Sequence, residues 1–363
     1  MEKFFSSSLS IERLKCLRND CTLNDCKLCI EFCPYDALVI EANKLNIKSN
    51  LCTNCASCVG ICPTEAIKTD GFDANLFIMG ELAKEVDEIK SKTLQKTLKL
   101  KCTNLGACLS SFDEQNLITL TARSNRAVEI DTGECEKCPL NEKNHNVLNR
   151  IKFITNETNR FLKTIGMDKN IEILNTAAQD RRGFLKALFG QAVAIKEAIN
   201  FELPDIKTKI PLKTLLLKNT LKDIAEKINL KIDEENFSFL TLKQISDSCT
   251  NCRSCVEFCP TNALFYSSDY DKIYFQSGKC INCSICDSVC KDNSFTKLNE
   301  KDLVRFMFDK AVPLIEHTII ECDHCKIGFA SKQGSTTCPS CMNFKTDFAS
   351  MFITAKDLEK TRS

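Results

Sequence analysis

The sequence predicts an α+β chain in which two cysteine-rich modules flank an α/β and helical middle region, with a thiol-paired tail after them. Three observations predict it. A block of eight cysteines occurs near each end of the 363 residues; between the blocks cysteine density collapses and apolar residues recur at three- and four-residue steps; and Cys322-x2-Cys325-x12-Cys338-x2-Cys341 follows the second block. The expected divisions are a first module over 1–70, a helix and small α/β unit over 71–145, a mainly helical region over 146–240, a second module over 241–300 and the tail over 301–363.

The first block reads Cys26-x2-Cys29-x3-Cys33-Pro34 and Cys52-x2-Cys55-x2-Cys58-x3-Cys62-Pro63, and the second reads Cys249-x2-Cys252-x2-Cys255-x3-Cys259-Pro260 and Cys280-x2-Cys283-x2-Cys286-x3-Cys290. Three thiolates on a tight loop can reach three iron corners of one cubane cluster, while the fourth cysteine of the run points to the other cluster. The expected sets are Cys52, Cys55 and Cys58 with Cys33; Cys26, Cys29 and Cys21 with Cys62; Cys249, Cys252 and Cys255 with Cys290; and Cys280, Cys283 and Cys286 with Cys259. Cys21 is assigned on its proximity to Cys26. Cys16 is the alternative, lying in the helical-looking stretch Ile11 to Leu17, where it would otherwise serve as a small buried hydrophobe.

These residues resemble the bacterial ferredoxin family with two [4Fe-4S] clusters. The resemblance extends to one small turn repeated at Pro34–Leu38, Pro63–Ile67 and Pro260–Leu264. It implies a pseudo-symmetric fold of short hairpins and helices with little apolar core, held together by four [4Fe-4S] clusters. Two departures stand out: four residues separate Cys21 from Cys26 instead of two, and Lys291 replaces the proline after Cys290.

In the middle region, Leu76, Phe77, Leu82, Val86 and Ile89 read as one face of an amphipathic helix. A strand over 97–101, a helix over 113–122 and a strand over 127–131 form a right-handed crossover, which makes the strands parallel. Loops after parallel strands lie side by side at the ligand-gathering edge of an open sheet. Cys102 and Cys108 follow the first strand and Cys135-x2-Cys138 the second, so four thiols can converge there. This pattern resembles small iron–sulfur accessory domains of hydrogenase and ferredoxin-associated subunits. A cluster, a zinc ion and reduced thiols without metal all remain open.

Further along, a strand is expected at 170–174. Helix faces come from Phe184, Leu185, Leu188, Phe189, Val193 and Ile195, and from Leu215, Leu216, Leu217, Leu221, Ile224 and Ile228, with breaks at Pro204 and Pro211. In the tail, Cys322, Cys325, Cys338 and Cys341 form two thiol knuckles able to close a tetrahedron. The pattern resembles a zinc ribbon, and Lys326 and Met342 stand where rubredoxin-like iron sites usually have glycine, which favours zinc.

Composition limits the function. The 25 cysteines exceed what a reducing compartment tolerates without metal, and the assigned groups leave only Cys16 over. Charge is balanced at 49 basic against 48 acidic residues, which argues against nucleic-acid binding. No run approaches the ~18 apolar residues of a spanning helix, and no export signal opens the chain, so a cytoplasmic location is expected. Asp180-Arg181-Arg182 resembles a twin-arginine motif but lies mid-chain, where Asp180 suits a helix start. The sequence contains no dinucleotide-binding glycine fingerprint, P-loop or haem motif, and only three histidines. The expectation is an electron-transfer protein or subunit with no catalytic site of its own. It would relay single electrons to or from a catalytic oxidoreductase; by analogy, a hydrogenase, formate dehydrogenase or other molybdenum enzyme. The alternative is a noncatalytic redox-sensing assembly or regulatory factor. A radical-generating enzyme is disfavoured by the missing C-x3-C-x2-C site.

Overall fold

Each ligand-bearing turn of the first module ends a short helix at a cysteine, because a following proline disfavours helical backbone in the residue before it. In the computed structural model, which describes residues 8–21, 23–142, 146–175, 209–232, 236–298, 301–332 and 334–347, helices α1 (Leu17–Asp20), α2 (Leu28–Phe32) and α3 (Ser57–Ile61) lie among strands β1 (Leu9–Ile11), β2 (Leu38–Glu41), β3 (Lys44–Ile47) and β4 (Ile67–Thr69). Helix α2 stops at Cys33 and α3 at Cys62, both extended and both followed by proline. The strands pair antiparallel as β1 with β4 and β2 with β3.

Next comes α4 (Ala74–Lys90), whose N-terminus is capped by the Asp73 carboxylate accepting from the Asn75 and Leu76 amides. The helix is present as expected, but its buried face is rotated. Leu76, Val86 and Ile89 are exposed, while Ile78, Met79 and Glu85 turn inward. The cause is polar: Glu85 accepts from Ser124 Oγ at 2.6 Å and from Arg126 Nε at 3.1 Å, and this buried network fixes the helix orientation.

Strand β5 (Thr97–Leu100), α5 (Cys102–Leu105), α6 (Glu114–Arg123), β6 (Ala127–Asp131), α7 (Asn146–Thr164) and β7 (Ile171–Leu174) complete a parallel sheet in the order β5-β6-β7. Leu100 lies opposite Ile130, and Ile130 opposite Ile173. Because β7 joins this sheet, the division expected at residue 145 passes through one α/β unit. Helix α8 (Leu212–Asp223) follows, with Pro211 at its N-cap. It buries Leu216, Leu217 and Leu221 but ends before Ile224 and Ile228. The helix face expected over 184–195, the start at Asp180 and the break at Pro204 lie outside the described residues.

After β8 (Lys231–Ile232), the second module contains β9 (Leu242–Ile245), α9 (Ser254–Glu257), β10 (Leu264–Tyr266), β11 (Lys272–Gln276), α10 (Ile285–Val289) and β12 (Phe295–Leu298). Then come β13 (Lys301–Asp302), α11 (Leu303–Met307) and β14 (Ala311–Glu316), and finally β15 (Ile319–Glu321), β16 (Gly328–Ala330) and α12 (Pro339–Asp347). Strand β14 pairs with β11, so the second module's sheet reaches beyond the limit expected at 300. The tail proper begins with the β15–β16 hairpin.

One apolar core joins the first module to the middle unit, uniting Cys55, Ala56 and Phe72 with Leu100, Phe112, Leu117 and Ile151. The approach is close enough to require Gly60: a Cβ there would overlap the Ser110 and Phe112 carbonyls. A second core joins α6, α7 and α8 to α11 through Phe161, Leu217 and Phe306. The expected low-core modules are thus braced against a conventionally packed centre.

Candidate iron–sulfur centres and metal sites

Two small cavities lie in the first module. One is lined by Cys33, Cys52, Cys55 and Cys58 with Ala37, Leu38 and Ser57. The other is lined by Cys16, Cys26, Cys29 and Cys62 with Leu45, Ala66 and Ile67. Cys21, the expected fourth thiol, does not line the second cavity, whereas the alternative, Cys16, does. The reason is local. Cys16 is the N-cap of α1 and is buried, whereas the helix carries Cys21 to its other end, and Arg18 Nε donates to the Cys26 carbonyl at 3.1 Å, clamping α1 beside the Cys26 loop.

Loop conformation shows why an upstream thiol is needed. Three loops contain Cys-x2-Cys-x2-Cys, and each turns through two left-handed residues: Asn54 and Ala56, Asn251 and Arg253, Asn282 and Ser284. Asparagine tolerates this region better than most residues, and its repeated use is a signature of the turn. The Cys26–Cys29 loop lacks the pair. There Lys27 has φ −129°, and the Asn24 side chain accepts from the Cys26 amide at 2.9 Å. The turn after each fourth cysteine is common to all four runs, with Asp36, Glu65, Asn262 and Asn293 at φ 52°, 52°, 51° and 48°. Lys291 in place of proline leaves it unchanged.

In the second module, burial and then the neighbouring charges of Cys252 and Cys290 raise the pKa of Cys249. Cys283 is pushed up to about 11 by burial and by the neighbouring Cys286 and Cys259. These couplings place Cys249 near Cys252 and Cys290, and Cys283 near Cys286 and Cys259. Desolvation also pushes Cys29, Cys255 and Cys280 up to about 12. Alone, such thiols would be neutral; a cationic centre is what makes them ligands.

The surroundings fit a cationic iron–sulfur core whose four thiolates give the whole centre a net negative charge. Backbone amides donate to sulfur from Ala37 to Cys33 and from Ala66 to Cys62, each at 3.3 Å, and likewise from Ser294 to Cys290 at 3.3 Å. Such bonds to sulfur tune cluster potentials. Two buried lysines add positive charge. Lys213 Nζ donates to the Cys62 carbonyl at 2.9 Å and pairs with Asp113 at 2.5 Å; burial opposes its charge, but Asp113 and Glu65 outweigh this and raise its pKa. Lys243 is likewise raised against the burial penalty, by Cys286 and Asp287.

A cleft of about 620 Å³ is lined by Cys26 of the first module and by Cys280 and Cys283 of the second, together with Asp113, Arg150 and Lys213. The module 1 thiol Cys58 is in turn coupled to Cys29, and the module 2 thiol Cys255 to Cys286.

Among the described residues, Cys322, Cys325, Cys338 and Cys341 form the one group of candidate ligands whose atoms all lie within 4.8 Å of one another. That spacing suits a single ion, since Zn–S bonds of ~2.3 Å place tetrahedral thiolates roughly 3.8 Å apart. The Cys338 amide donates to Cys322 Sγ at 3.2 Å, and this bond, with that of the Cys325 amide, brings Cys322 down to about 6. Cys102 and Cys108 follow β5, and Cys135 and Cys138 follow β6; Cys108 and Cys135 are buried, and Cys102 and Cys138 are half-buried.

Residues 248–294 match the family model of a 4Fe-4S dicluster domain, and residues 45–68 match that of a 4Fe-4S binding domain. The chain therefore carries two ferredoxin-type iron–sulfur segments. The first match covers every cysteine of the second module, while the other begins after Cys33, leaving out the irregular Cys16–Cys33 half of the first. No curated protein and no solved structure matches the chain. Among the described residues no helix is long and apolar enough to cross a membrane. Cys16, which the sequence leaves over once the other cysteines are grouped, is placed by the structure in the lining of the second cavity.

Proposed function

We propose that this chain is an electron-transfer subunit holding four [4Fe-4S] clusters, which passes single electrons to or from a catalytic oxidoreductase in a reducing compartment such as the cytoplasm. The ligand sets are Cys33, Cys52, Cys55, Cys58; Cys16, Cys26, Cys29, Cys62; Cys259, Cys280, Cys283, Cys286; and Cys249, Cys252, Cys255, Cys290. Bound clusters would supply reversible one-electron storage. The chain's own residues hold them in order, insulate them with apolar walls and set their potentials through amide–sulfur bonds and the lysines Lys213 and Lys243. The ribbon would hold one structural zinc ion.

The observation that carries this reading is the shared cleft: Cys26 of the first module lines one cavity with Cys280 and Cys283 of the second. Two separate ferredoxins would have no reason for that placement. In the second module Cys252 is exposed, which suits exchange with a partner at the surface. The test is iron and sulfide analysis of anaerobically prepared protein with a redox titration followed by electron paramagnetic resonance. The expected result is about sixteen irons in the two modules, four per cube, with magnetic interaction between the inner clusters that disappears in a Cys283→Ala variant. No more than two cubes after full reconstitution would overturn the proposal.

A further inference from the structure

We infer that Cys102, Cys108, Cys135 and Cys138 bind a fifth iron–sulfur cluster, placed beside the Cys33, Cys52, Cys55, Cys58 centre and linked to it by hydrogen bonds. The link rests on the four-cluster reading above; the binding itself does not.

Topology gathers the four thiols. Parallel pairing sets Leu100 against Ile130, so the chain leaves β5 and β6 at the same edge. Cys102 opens α5 directly after β5, and Gly106, left-handed at φ 69°, ends that helix and returns the chain to Cys108. After β6, successive turns bond the Cys135 amide to Thr132 and the Cys138 amide to Cys135. Asn141 locks this loop, donating to the Cys135 carbonyl at 2.8 Å and accepting from the Leu148 amide at 2.9 Å. Cys102 is coupled electrostatically to Cys138, Cys108 to Cys102, and Cys135 to both Cys102 and Cys138.

Spacing selects the kind of metal centre. A single tetrahedral ion draws all its thiolates to within ~4 Å of one another, as the ribbon thiols nearly are. Among the described residues no three of Cys102, Cys108, Cys135 and Cys138 reach the 4.8 Å mutual spacing that marks the ribbon, and the same is true of the sixteen thiols of the two modules. Like the thiols of the two modules, the middle set is thus not drawn to the spacing of a single tetrahedral ion.

The connection to the first module is continuous. The Cys108 amide donates to the Cys55 carbonyl at 3.2 Å. Ser110 Oγ donates to Cys108 Sγ at 3.2 Å and lies 2.6 Å from Ser57 Oγ, which is hydrogen-bonded to Cys55. Thus two serines bridge a thiol of one centre to a thiol of the other. Gly60 permits this contact, since its missing Cβ is what lets α3 lie against the Ser110 backbone. With both clusters bound, exchange across the bridge would move one electron from one to the other, with no bond formed or broken and no proton transferred.

The test compares full-length wild-type protein with a Cys102→Ser/Cys138→Ser variant, both half-buried positions away from the Ser57–Ser110 bridge. The readouts are iron, sulfide and zinc per chain and low-temperature electron paramagnetic resonance. The variant is expected to lose about two or four irons with equal sulfide, according to cluster type, while the ferredoxin signals persist. Equal iron in the two proteins would overturn the inference. Native mass spectrometry of the wild type guards against misfolding of the variant: iron in excess of the module clusters with about one zinc supports the fifth cluster, whereas two zinc ions per chain overturn it. If instead the four-cluster reading fails, iron falls short equally in both proteins and the difference between them remains.

Discussion

The two ferredoxin-type modules share the left-handed turn after each fourth cysteine but present their first thiols differently. In the second module both clusters would be served by complete Cys-x2-Cys-x2-Cys loops, each stabilised by its own paired left-handed residues. In the first module only the Cys52–Cys58 loop has that form. In the proposed ligand sets the other site would be completed by Cys16 from a separate segment, where Arg18 clamps α1 beside the Cys26 loop and Leu45 and Ile67 line the same cavity. A regular loop encodes its site locally, whereas the irregular one depends on α1 being packed correctly, so it should be the weaker point of the molecule. The first module is also the one fused to the central α/β unit, and that packing supplies the support that its broken loop lacks.

Removing the recruited thiol would break this comparison most directly. Cys16→Ala should lose one cube, about four irons, whereas Cys21→Ala should retain all of them. Iron analysis paired with Mössbauer spectra reads the difference, and the opposite ranking would return the ligand to Cys21. The next effect is on stability. Asp113→Ala strands the buried Lys213 ammonium between the modules and should cost about 3–5 kcal/mol, seen as a lower denaturant midpoint of the anaerobic protein.

A smaller effect separates the inner and outer centres of the second module. Lys243→Met removes positive charge beside Cys286 and should lower the potential of the Cys259, Cys280, Cys283, Cys286 centre, leaving that of Cys249, Cys252, Cys255, Cys290 nearly unmoved. Each ~1.4 kcal/mol of lost interaction corresponds to about 60 mV for one electron, measurable by titration; equal shifts in both centres would remove the distinction. Smallest should be the effect of deleting residues 318–363. This cut spares β14, which belongs to the second module, and should remove about one zinc while leaving iron content and cluster spectra intact. Loss of iron would tie the ribbon to the clusters directly.

Much of this was legible in the residues because cysteine spacing describes local loops. The regular runs, the ribbon knuckles and the parallel β5–β6 pair each depend on contacts within a short stretch, or on a handedness rule that short stretches obey. The replacement of proline by Lys291 changed nothing, since the left-handed residue at Asn293 and the amide bond to Cys290 suffice for the turn. Spacing could not decide between Cys16 and Cys21, because proximity in sequence does not say which side of a helix end a thiol leaves. Nor could periodicity anticipate Glu85, drawn inward by Ser124, Asn125 and Arg126 so that α4 rotates. The lining of one cleft by Cys26, Cys280 and Cys283 is likewise a product of tertiary packing. It follows from how α6, α7 and α8 fill the space between the modules, and contacts between segments so distant in sequence leave no periodic trace in either.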